Sequence, residues 1–236
     1  MVSKLILLAT LVGCGRLPSE SHTKETEPPK KLRIVAMGGR NSCQKLPPYS
    51  PKSMSMYTEI ERSIGQLGPE FDSVELLLAC YRADGQLFYI DSKDDTVRSG
   101  VPDDLVAAID HTPATTIFVG HSYGGWLAMQ TLLKSRVKAA LFTIDAISPV
   151  NCAFRKPQRW LGCVKAPTDV PYQDVAQKTF YWGNFFQTST MYLHSSEIPH
   201  ASRNQHLSGV SHTTIDNNQD IWADFVRAPA RMQLQP

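Results

Sequence analysis

The sequence predicts an α/β fold in which a mostly parallel sheet carries helices on both faces. Short apolar runs alternate along the chain with longer stretches whose apolar residues recur at helical spacing. Strands that alternate with helices are typical of parallel sheets, because each strand needs a crossover connection to reach the next one. The pattern shows no repeat, and 236 residues suffice for one sizeable core, which indicates a single domain over residues 31–236.

The first half of the chain contains three predicted strands and two predicted helices. The strands lie at 32–37, 74–79 and 115–119, and the helices at 53–67 and near 102–111. The first strand ends at Gly38-Gly39, and the first helix stops before a Gly-Pro pair. The second strand is largely apolar, as expected of a strand that is covered on both faces.

The second half continues the alternation after residue 122. We expect a helix at 123–135, strands at 139–144 and from 179, a short strand at 191–193, and a closing helix near 216–227. Residues 148–177 are irregular, and many aromatic residues lie between 154 and 192. This stretch is predicted to be an insertion that covers a site and shapes a pocket, although most of its aromatic residues are expected to serve packing.

Charge and cysteine spacing exclude two function classes. The formal net charge is +2 and the basic residues are scattered, so nucleic acid is not an expected partner. The cysteines form no C-x-x-C pair, so no metal site is expected.

The amino-terminal residues have the features of a targeting segment. Lys4 precedes a short apolar stretch that ends Leu11-Val12-Gly13-Cys14, too short to cross a bilayer. This ending resembles the lipobox of bacterial lipoproteins. The resemblance implies that residues 1–13 are a signal peptide, that Cys14 is acylated, and that residues 14–30 are a tether rich in proline and polar residues. The expected location is the outer membrane facing the periplasm, or the cell surface if the source is Gram-positive.

Four further cysteines permit disulfides in such an oxidising compartment. Cys152 and Cys163 bracket a short loop and are the favoured pair. Cys43 and Cys80 are the remaining pair.

The strongest chemical signal is Gly120-His121-Ser122-Tyr123-Gly124. A β-branched strand precedes it and a helix follows at once, which is the context of a nucleophile elbow. Glycines two positions on either side of the serine let neighbouring backbone pack closely. Ser122 Oγ would therefore project above the sheet, at the positive end of the following helix.

The Gly-His-Ser-Tyr-Gly-Gly string resembles the elbow of the α/β-hydrolase superfamily, in particular its lipase, esterase and thioesterase branches. The resemblance extends in element order from residue 32 to about 227. It implies a triad in the chain order serine, acid, histidine, together with an oxyanion hole.

Asp145 is the predicted acid of this triad, because it ends the strand next to that of Ser122. Many superfamily members carry the acid one strand later, but the next strand here ends Tyr-Trp-Gly-Asn without a carboxylate. Other acid candidates are Asp169, Asp174 and Glu197.

His212 is the predicted base, since it lies just before the last helix, where the superfamily places its histidine. The other histidines that follow both Ser122 and Asp145, and so also fit the chain order, are His194, His200 and His206. His121 precedes the nucleophile and is assigned to packing.

The oxyanion hole is predicted from two backbone N–H groups. Tyr123, which follows the nucleophile, would provide one of them. Gly39 or Arg40, in the loop after the first strand, would provide the other. The same glycines could also form a plain turn that ends the strand.

These residues predict a serine hydrolase that cleaves a small-molecule or lipid ester through an acyl-enzyme, without metal or cofactor. A thioesterase would use the same residues. A non-catalytic envelope lipoprotein with this fold is the alternative from another class.

Overall fold

The computed structural model describes residues 30–40, 42–43, 55–67, 71–81, 87–91, 97–100, 102–150, 152–155, 159–163, 165–189 and 193–233. The strands in chain order are β1 (Lys31–Arg40), β2 (Ser73–Tyr81), β3 (Leu87–Asp91), β4 (Val97–Gly100), β5 (Thr115–His121), β6 (Ala139–Ile144), β7 (Cys152–Arg155), β8 (Arg159–Cys163), β9 (Thr179–Phe186) and β10 (Arg203–His206).

The helices are distributed between these strands in the order expected of crossover connections. They are α1 (Ser55–Ile64), α2 (Pro102–Asp110), α3 (Tyr123–Lys134), α4 (Tyr172–Gln177), α5 (Gln219–Val226) and α6 (Ala228–Gln233), with a 3₁₀ helix at Ile215–Asn217.

Eight strands form the main sheet in the order β10-β9-β6-β5-β1-β2-β3-β4. Every neighbouring pair from β10 to β2 is parallel, whereas β3 is antiparallel to both β2 and β4. Strands β7 and β8 form a separate antiparallel hairpin. The carboxyl ends of the central strands β1, β5, β6 and β9 therefore meet at one edge, where ligands bind in open α/β sheets.

Helices cover both faces of the sheet. Alternate residues of β1 show the division, because Leu32, Ile34 and Ala36 pack in one buried cluster, whereas Val35 and Met37 pack in the other. The first cluster contains apolar residues of α1, α5 and α6, and the second contains those of α2, α3 and α4. The prediction of an α/β fold with a mostly parallel sheet and helices on both faces is confirmed.

Several elements differ from the sequence-based prediction. The β3–β4 pair and β10 were not predicted, and the insertion at 148–177 contains the β7–β8 hairpin and α4. The last helix is divided into a 3₁₀ turn and two short helices. Of the short strand predicted at 191–193, residues 191–192 lie outside the described residues.

A disulfide joins Cys43, after β1, to Cys80 in β2. The backbone N–H of Cys43 also donates to the carbonyl oxygen of Tyr81, and the Tyr81 N–H donates to Ser42 Oγ, so hydrogen bonds as well as the disulfide attach the chain after β1 to the end of β2. Cys152 and Cys163 face each other as partners in the β7–β8 register, but their side chains lie outside the description. That bridge remains a prediction.

The predicted signal peptide, Cys14 and all but the last residue of the tether also lie outside the described residues. Among the residues that the structure describes, no helix combines the length and hydropathy that crossing a membrane requires.

Candidate active site

Ser122 lies in a tight turn between β5 and α3. Its backbone has a φ of 59° and a ψ of −126°, a conformation that residues with a side chain rarely adopt. The turn is held in place because the Ser122 N–H donates to the carbonyl oxygen of Ile144 at 2.9 Å, and the Ser122 carbonyl oxygen accepts from Gly125 and Ile147.

The glycines around Ser122 are required by close backbone packing. A Cβ atom on Gly120 would lie 2.3 Å from the carbonyl oxygen of Gly124. A Cβ atom on Gly124 would lie 1.9 Å from the carbonyl oxygen of Met37 in β1. Side chains at these positions would push α3 away from β1 and β5, so the G-x-S-x-G spacing has a steric origin.

The imidazole of His212 connects Ser122 with Asp145. Its Nε2 lies 2.9 Å from Ser122 Oγ, and its Nδ1 lies 2.7 Å from Asp145 Oδ2. The exposed fractions are 7% for Ser122, 5% for His212 and 0% for Asp145. Because a carboxylate accepts from Nδ1–H, the hydrogen-bond pattern assigns the proton of a neutral ring to Nδ1 and leaves Nε2 to accept from the hydroxyl.

Asp145 directly follows β6 and, like Ser122, has a positive φ, of 46°. Its N–H donates to the carbonyl oxygen of Phe185 in the neighbouring strand β9. Oδ1 accepts from the Ser195 N–H at 2.7 Å, and Oδ2 accepts from the Gln187 side-chain amide at 2.8 Å. Protein donors thus satisfy the buried carboxyl group on both oxygens, as a buried polar group requires.

His212 belongs to a turn that begins at Ser211 and leads into the 3₁₀ helix. The Ser211 N–H donates to Thr214 Oγ1 at 3.0 Å, and the Ile215 N–H donates to the Ser211 carbonyl oxygen. His121, at the end of β5, contacts the same turn. Its Nε2–H donates to the His212 carbonyl oxygen at 2.7 Å, and the two rings are tilted with centroids 4.9 Å apart.

The environment of His121 disfavours the protonated form of its ring. Burial lowers the pKa of His121, and the adjacent His212 lowers it further, whereas Asp216 and Asp145 act in the opposite direction. Asp216 Oδ2 lies 3.7 Å from Nδ1 of His121, beyond hydrogen-bond distance.

The loop after β1 lies against Ser122. The register of β1 with β2 shifts between Met37 and Arg40, which marks a bulge at the end of the strand. A Cβ atom on Gly39 would lie 2.7 Å from Ser122 Cβ and 3.0 Å from Ser122 Oγ. The structure therefore brings Gly39 to Ser122. Tyr123 is the first residue of α3, and the side chain of Arg40 lies outside the description.

The other predicted candidates form different contacts or lie in other surroundings. Asp169 accepts from the Trp126 indole at 2.9 Å, Asp174 belongs to α4, and Glu197 is exposed. His206 lies beside Thr188, His194 beside the carbonyl oxygen of its neighbour Ser195, and His200 has a positive φ.

Sequence reasoning missed two residues of the site, Gln187 and Ser195. It named His121 but assigned it to packing and missed its hydrogen bond to the turn that carries His212. These residues meet their partners across 42, 50 and 91 positions of sequence. The one local signal was the position of Gln187 directly after β9, whose carboxyl end lies next to that of β6.

Within the described part of the chain, no group of three or more His, Cys, Asp or Glu side chains is arranged to hold a metal ion. Comparison with protein-family models and with curated proteins finds no match to this chain.

Proposed function

We propose that this protein is a serine hydrolase of the α/β-hydrolase type that cleaves carboxylic esters through an acyl-enzyme. The observation that carries the proposal is the His212 ring, whose two nitrogens lie within hydrogen-bond distance of Ser122 Oγ and of Asp145. A serine hydroxyl is a weak nucleophile at neutral pH, and an imidazole oriented by a carboxylate is the arrangement that activates it.

The reaction follows from this arrangement. His212 Nε2 takes the Ser122 proton while Oγ bonds to the ester carbonyl carbon, and the carbonyl electron pair moves onto its oxygen. When the tetrahedral intermediate collapses, the bond to the alcohol oxygen breaks, and His212 returns the proton to the leaving alcohol. Water then repeats the sequence on the acyl-enzyme, releasing the acid and regenerating Ser122.

Two backbone donors would bind the oxyanion. The Tyr123 N–H lies at the amino end of α3, where the helix dipole favours negative charge. The second donor is the N–H of Gly39 or Arg40, a choice supported by the closeness of Gly39 to Ser122. Each donor would contribute about 3 kcal/mol to transition-state stabilisation.

The substrate we propose is a small-molecule or lipid ester, reached from the membrane. The support for this location is Cys14 in its lipobox-like sequence, followed by a proline-containing polar tether up to residue 30. We expect mass spectrometry of the membrane-extracted protein to find an acylated Cys14 at the mature terminus. A Cys14→Ser variant should be recovered unacylated, and an unmodified Cys14 in the native protein would contradict the anchor.

Hydrolysis of p-nitrophenyl esters from acetate to palmitate by the full chain tests the activity. Ser122→Ala is expected to reduce kcat by about 10⁴-fold or more, since the nucleophile is removed. Ser63→Ala is the matched control, because Ser63 is equally buried but lies in α1. It should keep the rate of the native protein.

A fluorophosphonate probe provides a second readout that does not depend on the choice of ester. We expect an adduct on Ser122 in the native protein and none in Ser122→Ala. A folded protein that neither labels nor turns over any ester would instead be a binding protein with a hydrolase-like fold. Labelling together with turnover of acyl thioesters alone would identify a thioesterase.

A further inference from the structure

Gln187 is a buried amide at the carboxyl end of β9. It directly follows Phe186 and has no exposed surface. Strand β9 pairs in parallel with β6, whose next residue is Asp145, so the two strand ends place Gln187 and Asp145 side by side. Nothing in the proposed reaction requires an amide here, and a buried polar side chain must compensate for its desolvation.

The orientation of the Gln187 amide is determined by its partners. Nε2 lies 2.8 Å from Asp145 Oδ2 and 2.9 Å from the carbonyl oxygen of Leu193. Both partners are acceptors, so the atom between them must be the NH₂ group, which has two hydrogens to donate. Ser189 Oγ lies 2.9 Å from the amide oxygen on the other side.

The same carboxylate oxygen serves both Gln187 and His212. Asp145 Oδ2 accepts from Gln187 Nε2 and from His212 Nδ1. These two donors together fix the orientation of the carboxylate. An amide can do this without charge. A glutamate of the same shape would place a second carboxylate about 3 Å from Asp145, and its negative charge would repel that of Asp145 and act on His212 as well.

Gln187 also connects Asp145 to residues 193–195. Leu193, whose carbonyl accepts the second amide hydrogen, packs against Ile147, and Tyr123, the residue after Ser122, packs against Ile147 as well. Two residues further, the Ser195 N–H donates to Asp145 Oδ1. Residues 193–195 and the Asp145 carboxylate are thereby held as one unit.

We propose that Gln187 is a positioning residue that orients the Asp145 carboxylate toward His212 and keeps a second negative charge away from it. This inference rests on the proposed hydrolase activity. Because Gln187 would act through Asp145 without touching substrate, its removal should lower kcat and leave KM nearly unchanged.

Two variants separate orientation from charge. Gln187→Leu removes the donor at similar volume, and we expect kcat to fall about tenfold to a hundredfold, as small misplacements in a site do. Gln187→Glu keeps the shape and adds a carboxylate. It should move the acidic limb of the kcat/KM profile to higher pH, because extra negative charge favours the protonated His212 that cannot act as a base.

The matched control is Asn184→Asp, which makes the same chemical change at a fully buried amide of the same strand. Asn184 hydrogen-bonds to Thr143, Ser196 and Asn204, so its replacement reports the general effect of a buried charge in β9. Urea unfolding of each variant identifies losses that arise from stability alone. A Gln187→Glu profile that coincides with that of the native protein, or that shifts no more than the Asn184→Asp profile, would overturn the proposal.

A readout without substrate distinguishes this proposal from the proposed function. NMR follows the pH at which the His212 ring signals titrate in the native protein and in Gln187→Glu. A higher midpoint in Gln187→Glu supports the coupling even if no ester is ever hydrolysed, in which case only the proposed function fails. An active native enzyme whose His212 midpoint is unchanged in Gln187→Glu keeps the function and rejects the role of Gln187.

Discussion

His121 shows how a residue beside the site can make the stability of the protein depend on pH. In the folded protein its pKa lies below the usual 6.5, mainly because of burial. Between that lowered value and about 6.5, the unfolded chain binds a proton at this position and the folded chain does not. The free energy of unfolding therefore loses the His121 contribution as the pH falls through this range.

We predict that His121→Gln makes the free energy of unfolding less dependent on pH as the pH falls below about 6.5. Urea denaturation at a series of pH values measures this dependence. His111→Gln is the control, since His111 is exposed at the end of α2. A slope in His121→Gln that equals the slope of the native protein would show that His121 does not carry the acid sensitivity.

A substitution at Gly39 tests the contact between the loop after β1 and Ser122, the proposed nucleophile. Alanine here would place a methyl group 2.7 Å from Ser122 Cβ, against a residue that β5, β6 and α3 hold firmly. We expect kcat/KM for esters to fall about tenfold to a hundredfold, because the serine or the loop must shift. Gly65→Ala should keep the native rate, since nothing lies within 4 Å of its added carbon.

At the scale of elements, a buried ion pair joins β1, β2 and α2. Arg33 Nε donates to Glu75 Oε2 at 2.7 Å, and the two residues are register partners in the sheet. The same guanidinium donates to the carbonyl oxygens of Ile109 and Thr112 at the carboxyl end of α2, where cations are favoured. One side chain thus attaches a helix to two strands.

We predict that Glu75→Ala lowers the free energy of unfolding by about 3–5 kcal/mol, because it leaves the Arg33 charge buried without its carboxylate. Chemical denaturation measures the loss. Lys134→Ala breaks the Lys134–Asp103 pair, whose side chains are 53% and 74% exposed, and should cost less than about 1 kcal/mol. Equal losses in the two variants would argue against a special role for the buried pair.

The elements that could be predicted from the sequence are those with a strong local pattern. Strands β1, β2, β5 and β6 are apolar runs that end in glycine or a polar residue, and they form the centre of the sheet. In contrast, β10 reads Arg-Asn-Gln-His and alternates between half-buried and exposed residues. Its pairing with β9 gives it its structure, and no local signal reports such a partner.

The same division applies to the candidate site. Ser122, Asp145 and His212 each lie where a strand ends or a helix begins, so their positions follow from local patterns and the resemblance. Gln187 and Ser195 could not be predicted, because their contacts with Asp145 depend on how β6 and β9 align across more than 40 residues.

At the scale of the whole molecule, the Cys43–Cys80 disulfide restrains the chain between β1 and β2. The bridge closes a sequence separation of 37 residues, which in the chain-entropy description corresponds to about 4 kcal/mol. Both cysteines are buried, and Cys43 lies four residues after Gly39. The bridge therefore restrains the loop that lies against Ser122.

We predict that replacing both cysteines by alanine lowers the free energy of unfolding by roughly 2–4 kcal/mol. We also expect kcat/KM for esters to fall, because the loop that contains Gly39 loses its covalent attachment to β2. Differential scanning calorimetry and ester hydrolysis measure the two effects. Treatment of the native protein with reductant should reproduce the loss of stability. If the double variant melts at the native temperature, the bridge does not contribute to the fold.

The left-handed backbone of Ser122 has a consequence for how this protein tolerates change. A residue with a side chain in that conformation costs of the order of 1–3 kcal/mol, and the chain bears this cost in every folded molecule, with or without substrate. A glycine would relieve this cost, and the proposed reaction would explain why the chain carries serine here. Attempts to make the protein more heat-resistant should therefore avoid the elbow and act on positions such as Gly65, where a methyl group has room and no reaction depends on the outcome.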